Sequence, residues 1–260
     1  MKISVVIPMY NASSTIVRAL DSIKEQTFKC YYQIIVVNDG SKDNSQEIVE
    51  KYIADHPELN ITLINQLNGG VSKARNTGLK QASGNFIALL DSDDAWKQKK
   101  IEEQVNVFKT CQHVDFLGTG FAGFGINAED GRLQRIFFKD LLFRNYFQPS
   151  TILMKREIVD KVGFFDENQK YAEEGNYFFR ISRKFQCYFL NKELIIFGDG
   201  KSGFGESGLS ANLKEMEKGE LKNLKFAYEN KWIGFGLYFV TVCFSLLKYL
   251  RRIIIVKFLR

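Results

Sequence analysis

Little in this chain breaks, staples or charges the fold. Three prolines occur in 260 residues and no Ser/Pro-rich run divides them, which excludes a long flexible linker; no solenoid-type repeat is present. The four cysteines, Cys30, Cys111, Cys187 and Cys243, lie far apart without a Cys-x-x-Cys pair, and Met1 opens into an apolar strand-like run instead of a secretory leader. They are expected to be reduced thiols, mostly core, in a cytoplasmic protein. Net charge is missing from most of the chain too. Residues 1–230 hold 30 basic and 30 acidic residues, so the formal charge of +6 resides in residues 231–260, with six basic and none acidic. A neutral body with a basic, apolar terminus argues against nucleic acid as a partner. The uncharged run 233–247 has 15 residues, short of the roughly 20 that a membrane-spanning helix needs.

What is present is an ordinary globular composition, 45% hydrophobic and 25% charged, enough for one substantial core. Short apolar runs at 3–7 (ISVVI), 34–37, 61–64 and 86–90 (FIALL) read as strands. Between them, Ile16, Leu20 and Ile23 are spaced as a helix behind Ser13, Ser14 and Thr15 as cap candidates. A second helix opens at Asp43 with Gln46 as a capping partner and closes at Pro57, and a third covers 71–82. Such alternation implies an α/β fold with a parallel sheet covered on both faces. Beyond Trp96 the pattern loosens: helices are expected near 99–109 and 177–184, around a Gly/Phe-rich stretch at 118–125.

In open α/β sheets, ligands sit beyond the carboxyl ends of the strands. Those ends read Pro8-Met9-Tyr10-Asn11, Asn38-Asp39-Gly40-Ser41, Asn68-Gly69-Gly70 and Asp91-Ser92-Asp93-Asp94. Asp39 can accept from a base N–H, Tyr10 can stack on a base, and Gly40 and Gly70 allow close backbone approach. Asp91 and Asp93 offer hard oxygens on a tight turn, suited to Mg²⁺ or Mn²⁺ bridging a diphosphate, with one carboxylate left for ribose. Each motif alone reads as a polar turn, and Arg75 alone as a helix cation paired with a surface carboxylate. Their order along one sheet edge is what points to a nucleotide site.

The stretches Val5-Val6-Ile7-Pro8-Met9-Tyr10-Asn11, Val37-Asn38-Asp39-Gly40-Ser41, Ala74-Arg75-Asn76 within 70–78, and Asp91-Ser92-Asp93-Asp94 resemble the family 2 glycosyltransferases of GT-A (Rossmann-like) fold. The resemblance runs from residue 3 to about 210 and is most specific before 95. It implies that Pro8, Tyr10, Asn11 and Asp39 hold base and ribose, that Gly70 and Ser92 lie at the nucleotide sugar, and that Arg75 approaches the base. Asp91 would meet ribose, and Asp93 would be the principal ligand of Mn²⁺ or Mg²⁺.

More weakly, Gln148-Pro149-Ser150-Thr151 and Val162-Gly163-Phe164-Phe165-Asp166-Glu167 are similar to the family's stretch toward the acceptor site. Glu173-Glu174-Gly175-Asn176-Tyr177-Phe178-Phe179-Arg180 aligns with a Glu-Asp pair ahead of a helix, with Glu174 in place of the Asp. In the family that Asp is the expected base, so Glu174 would deprotonate the acceptor hydroxyl in a single inverting displacement. Glu173 is an alternative base, and helix N-terminal stabilisation a competing role. The Gly-rich stretch 203–210 is similar to loops that close over donor phosphates. The implied reaction is transfer from a UDP-hexose or UDP-N-acetylhexosamine to a saccharide or lipid-linked saccharide acceptor in cell-surface polysaccharide synthesis.

Three segments follow: a nucleotide-sugar half (1–95), an acceptor half (96–212) and a C-terminal helical tail (213–260). Helical phase puts Lys248, Arg251 and Arg252 on one face of the tail and Leu246, Leu247, Leu250, Ile253 and Ile254 on the other. That arrangement suits an anionic membrane surface, on the cytoplasmic face, though it suits packing on the body as well. A sugar nucleotidyltransferase would show a Gly-rich loop with an activating Arg after the first strand, where Pro8-Met9-Tyr10-Asn11 stands. A non-catalytic nucleotide-sugar-binding scaffold is the other rival, motivated by Glu174.

Overall fold

The computed structural model describes residues 1–121, 131–198 and 209–258. The expected phosphate loop lies largely outside these, at 203–208, as does the end of the Gly/Phe-rich stretch. In chain order the elements are β1 (Lys2–Met9), α1 (Ile16–Lys24), β2 (Tyr31–Asn38), α2 (Ser45–Asp55), β3 (Asn60–Asn65), α3 (Val71–Gln81) and β4 (Phe86–Leu89). Then follow β5 (Ala95–Trp96), α4 (Lys100–Thr110), β6 (Phe116–Phe121), β7 (Leu133–Ile136), α5 (Phe138–Leu141), β8 (Leu153–Lys155), α6 (Glu157–Val162), α7 (Glu173–Ser182), β9 (Cys187–Ile196), α8 (Leu213–Glu229) and α9 (Phe235–Phe258).

Nine strands form one sheet among the described residues, in the order β3-β2-β1-β4-β8-β6-β9-β5, with β7 on β9. The four strands expected from sequence are mutually parallel, Val5 lying beside Ile34 on one side and Ala88 on the other. Past β4 the sheet turns mixed: β8 runs antiparallel to both β4 and β6, while β6 and β9 are parallel. Alternate residues feed opposite faces. Val6, Ile35, Val37, Ile87 and Leu89 meet the cluster that includes Tyr177, Leu224 and Ile233. Ile3, Val5, Ile7, Ile34 and Ala88 meet Ile16, Leu20, Val49, Ile101 and Val105. The sheet is thus covered on both faces, as the continuous apolar runs require.

Several local expectations are corrected. Asp43 does not form a capping box with Gln46: its Oδ1 accepts the backbone N–H (3.1 Å) and the hydroxyl (2.5 Å) of Ser45, and Gln46 turns to Glu50. Of the cysteines only Cys187 is buried; Cys30 and Cys111 are half-buried and Cys243 is exposed.

The tail is an α8–α9 hairpin, and its basic face is turned inward. Arg252 pairs with Glu217 (3.0 Å) and Glu220 (2.9 Å) of α8, Lys248 donates to Glu220 (3.5 Å) and the Phe143 carbonyl (3.1 Å), and the Ser245 hydroxyl donates to Glu217 (2.8 Å). The face left exposed is apolar: Phe235, Phe239, Val240, Phe244, Leu246, Leu247, Leu250 and Ile254. Two of the three cations expected to face an anionic surface are therefore neutralised within the chain. No helix among the described residues is long and apolar enough to cross a membrane.

Candidate active site

The C-terminal ends of β1 to β4 meet at one edge, and short polar bonds lock their tips together. Asn11 adopts a left-handed backbone (φ 49°); its N–H donates to the Ser41 hydroxyl (3.0 Å) and its Oδ1 accepts the Lys42 N–H (2.8 Å). Asn11 thus ties the β1 tip to the β2 tip. Pro8 is buried beside Val37, whereas Tyr10 stands 47% exposed at the rim, its ring accessible for stacking.

Asp39 is buried, and its carboxylate accepts from Gln66 Nε2 (2.7 Å) and the N–H groups of Gly69 (2.9 Å) and Gly70 (2.8 Å). In this arrangement it folds the β3–α3 loop, leaving one lone pair on Oδ2 beyond these bonds. Gly70 caps α3 with φ +89°, and a Cβ there would meet nothing within 4 Å. Glycine is required for its backbone, and open space lies above it.

Arg75, one turn into α3, joins the two halves of the site. One terminal nitrogen donates to Asp91 (2.8 Å) and the other to Glu173 (2.7 Å), and the guanidinium lies 5.4 Å from the Phe165 ring centre. Burial alone would lower its pKa, but Asp91 and then Glu173 hold it raised, so the cation is permanent. Both terminal nitrogens are taken by carboxylates. Arg75, expected to approach the base, bridges the β4 tip to the N-terminus of α7, the two carboxylates supplying the counter-charges that a buried guanidinium requires.

Beyond Asp91, Ser92 is half-buried and Asp93 exposed at the loop tip, where the Arg18 guanidinium of α1 donates to the Asp93 carbonyl (2.5 Å). Asp94 is buried. It accepts from the Ser150 hydroxyl (2.5 Å), Gln148 Nε2 (2.9 Å) and the Gly198 N–H (2.8 Å); burial, and then the Asp91 carboxylate, push it up to about 7. Asp91 in turn donates its N–H to the Ser150 hydroxyl oxygen (2.9 Å) and accepts from Gln148 (3.4 Å). Glu173 and Glu174 open α7 behind Ala172, a left-handed N-cap (φ 52°). Glu173 is buried on Arg75, whereas Glu174 stays partly accessible with its carboxyl pushed up to about 8, by desolvation first and the Glu173 charge second.

Residues 4–169 match the model of glycosyl transferase family 2. The chain belongs to that family. A glycosyltransferase of Rickettsia prowazekii whose activity is uncharacterised is 30% identical over 90% of this chain and 71% of its own length. The Escherichia coli UDP-Glc:α-D-GlcNAc-diphosphoundecaprenol β-1,3-glucosyltransferase WfgD is 31% identical over 62% of this chain and 63% of its own. In fold, Staphylococcus aureus TarS, solved with UDP-GlcNAc, superposes with a TM-score of 0.69 at 22% identity, covering 86% of this chain and 66% of that one. A Pyrobaculum calidifontis mannosyltransferase solved with GDP-Man and Mn²⁺ gives 0.66 at 20%, covering 86% and 63%. The fold is therefore GT-A, and the chain spans about two thirds of several of these proteins' length.

Tyr10, Asn11, Asp39, Gly70, Asp91, Ser92 and Asp93 all lie beyond the C-terminal ends of β1 to β4, and Arg75 links this edge through Asp91 to Glu173, the neighbour of Glu174. Sequence reasoning did not assign Glu173 as the buried partner of Arg75, nor the Asp94–Ser150–Gln148 cluster. Gln148 and Ser150 were visible as a motif, but only tertiary pairing shows that they serve the β4 tip.

Proposed function

We propose that this glycosyltransferase moves a hexosyl or N-acetylhexosaminyl group from a UDP-sugar to a hydroxyl of a lipid-linked saccharide, with inversion, in cell-surface polysaccharide synthesis. The observation that carries the reading is the Arg75 bridge: one guanidinium joins the donor-side carboxylate Asp91 to Glu173, next to the raised carboxyl of Glu174. Tyr10 stacks on the base. Asp39 fixes the loop that carries Gly70 and offers its remaining lone pair to a base N–H, and the open space over Gly70 takes the donor backbone.

Asp93 at the exposed tip would hold Mn²⁺ or Mg²⁺. The Asp93 carboxylate would supply one hard oxygen, with diphosphate and water oxygens completing the coordination. When bound, such an ion neutralises charge on the leaving diphosphate. Glu174 takes the proton of the acceptor hydroxyl. The acceptor oxygen bonds to the anomeric carbon as the bond to the diphosphate oxygen breaks on the opposite face, UDP departs with the electron pair, and the configuration inverts.

The apolar face of α9 rests on the membrane. It is uncharged from Phe235 to Leu250, with Arg251 and Lys257 exposed at its far end, and a lipid-linked acceptor such as that of WfgD would be presented at a bilayer surface. A panel of UDP- and GDP-sugars with Mn²⁺, read as released nucleoside diphosphate in the presence of lipid-linked saccharides, tests the reading. Release from UDP-sugars with a β-configured product from an α-configured donor is expected; retention of configuration overturns the mechanism.

A further inference from the structure

The chain's most unusual backbone near the reaction centre is Ala172, a non-glycine residue held left-handed (φ 52°, ψ 31°) immediately before Glu173 and Glu174. Alanine adopts this conformation only where its surroundings enforce it. Here the enforcement comes from α8, which lies after the segment that matches the family.

Asn223 of α8 is buried and donates from Nδ2 to the Ala172 carbonyl at 2.8 Å. Its Oδ1 accepts from Gln169 Nε2 at 2.9 Å, and the same Gln169 amide reaches the carbonyls of Tyr171 (3.0 Å) and Ala172 (3.1 Å). Both helices are cut away where they meet. A Cβ on Gly219 of α8 would lie 2.2 Å from the Tyr171 carbonyl oxygen, and one on Gly175 of α7 would lie 2.9 Å from Asn223 Nδ2. The Ala172 carbonyl is thus gripped by two buried amides, in contacts that leave no room for larger side chains.

We propose that Asn223 and Gln169 are positioning residues that hold Ala172 left-handed and thereby aim the first turn of α7, seating Glu173 on Arg75 and Glu174 at the acceptor hydroxyl. This rests on the reading of Glu174 as the base. Neither amide touches the donor crevice formed by the tips of β1 to β4. Their loss therefore misdirects Glu174 first and reaches the donor side only through the Arg75–Asp91 pair, which stays in place, and the strain they hold is the part that glycine at 172 would remove.

The test uses the full chain with Asn223→Ala, Gln169→Met as a second arm that leaves α8 intact, and Ala172→Gly added to each. Turnover is read as UDP released from UDP-glucose or UDP-GlcNAc with acceptor, and local order as amide hydrogen exchange of residues 170–176. Each single variant is expected to lose about ten- to a hundred-fold in kcat with donor KM within about two-fold, the scale of a small misplacement at a reacting centre. Exchange at 170–176 should accelerate while the rest of α8 stays protected, and Ala172→Gly should restore most of kcat. Unchanged exchange and kcat in both arms, or a loss that tracks global unfolding and is not rescued by glycine, overturns the proposal. Should no donor turn over at all, the base assignment falls, and the exchange arm alone decides whether the amides hold residue 172.

Discussion

Replacing Glu174 by glutamine keeps the size and hydrogen-bonding outline of the side chain and removes its capacity to take a proton. A positioned general base contributes roughly two to four powers of ten, so kcat should fall about 100- to 10,000-fold, or about 3–5 kcal/mol, with donor KM little changed. The pH profile gives an independent reading. With the carboxyl at about 8, about one molecule in a hundred has the base ready at about pH 6, and kcat should climb about ten-fold per unit before levelling past 8. The sign for stability follows from the same shift. The folded-state value lies above the ordinary carboxyl value of about 4.5, so the stability it contributes is complete below about pH 4.5 and is lost as pH rises through about 8. Glu174→Gln abolishes that loss: its melting temperature should lie near the parent's at about pH 4 and above it past about pH 8. A continuous assay of UDP release and thermal melts in the same buffers measure both. A kcat flat between about pH 6 and 9, or a glutamine variant retaining more than about a tenth of kcat, refutes the base assignment.

Arg75→Ala leaves the buried Glu173 and the adjoining Asp91 without their shared cation, and should cost about 3–5 kcal/mol of stability, read by denaturant unfolding. Arg75→Met in a protein that keeps its full midpoint would show that the bridge is dispensable. Asp93→Ala should fold normally, since the residue lies at an exposed loop tip, yet lose metal-dependent binding of UDP in calorimetry. For α9, Leu247→Glu with Leu250→Glu should release the chain from liposomes in a sedimentation assay, whereas raising salt should weaken binding only modestly, because Lys248 and Arg252 are already paired internally and only Arg251 and Lys257 stand exposed at the end of the face. Equal pelleting of parent and variant would place the membrane contact elsewhere.

The donor half was legible because its signals are local. Runs such as ISVVI and FIALL carry their burial in their own composition, and each ends in polar residues that the parallel sheet brings to one edge. Beyond Trp96 the determinants are long-range. The strand β6 hides in a Gly/Phe-rich stretch because Gly118 and Gly120 weaken strand propensity, and the space a Cβ would need at Gly118 is filled by the Phe147 ring. The helix α7 begins four residues before its expected start at 177, since its left-handed Ala172 cap bears no capping side chain and owes its geometry to Asn223, 51 residues away. In the tail, helical phase grouped Lys248 and Arg252 correctly but placed Arg251 with them, whereas it is exposed beside Leu247 and Ile254. It could not tell which face points outward, because that depends on Glu217 and Glu220 lying across the hairpin.

The reversal of direction at β8 sets how the crevice can vary. Because β8 runs against β4, Leu153 lies beside Ala88 and Lys155 beside Phe86, so the chain enters this seam at the ligand edge and leaves it at the opposite one. The turn at Pro149–Thr151 is thereby delivered to the Asp91–Asp94 loop. Length added before Gln148 would emerge at the rim of the crevice, whereas length added after Lys155 would emerge on the far side of the sheet. The fold can therefore remodel that edge by changing a single connection, with β1 to β4 left as they are.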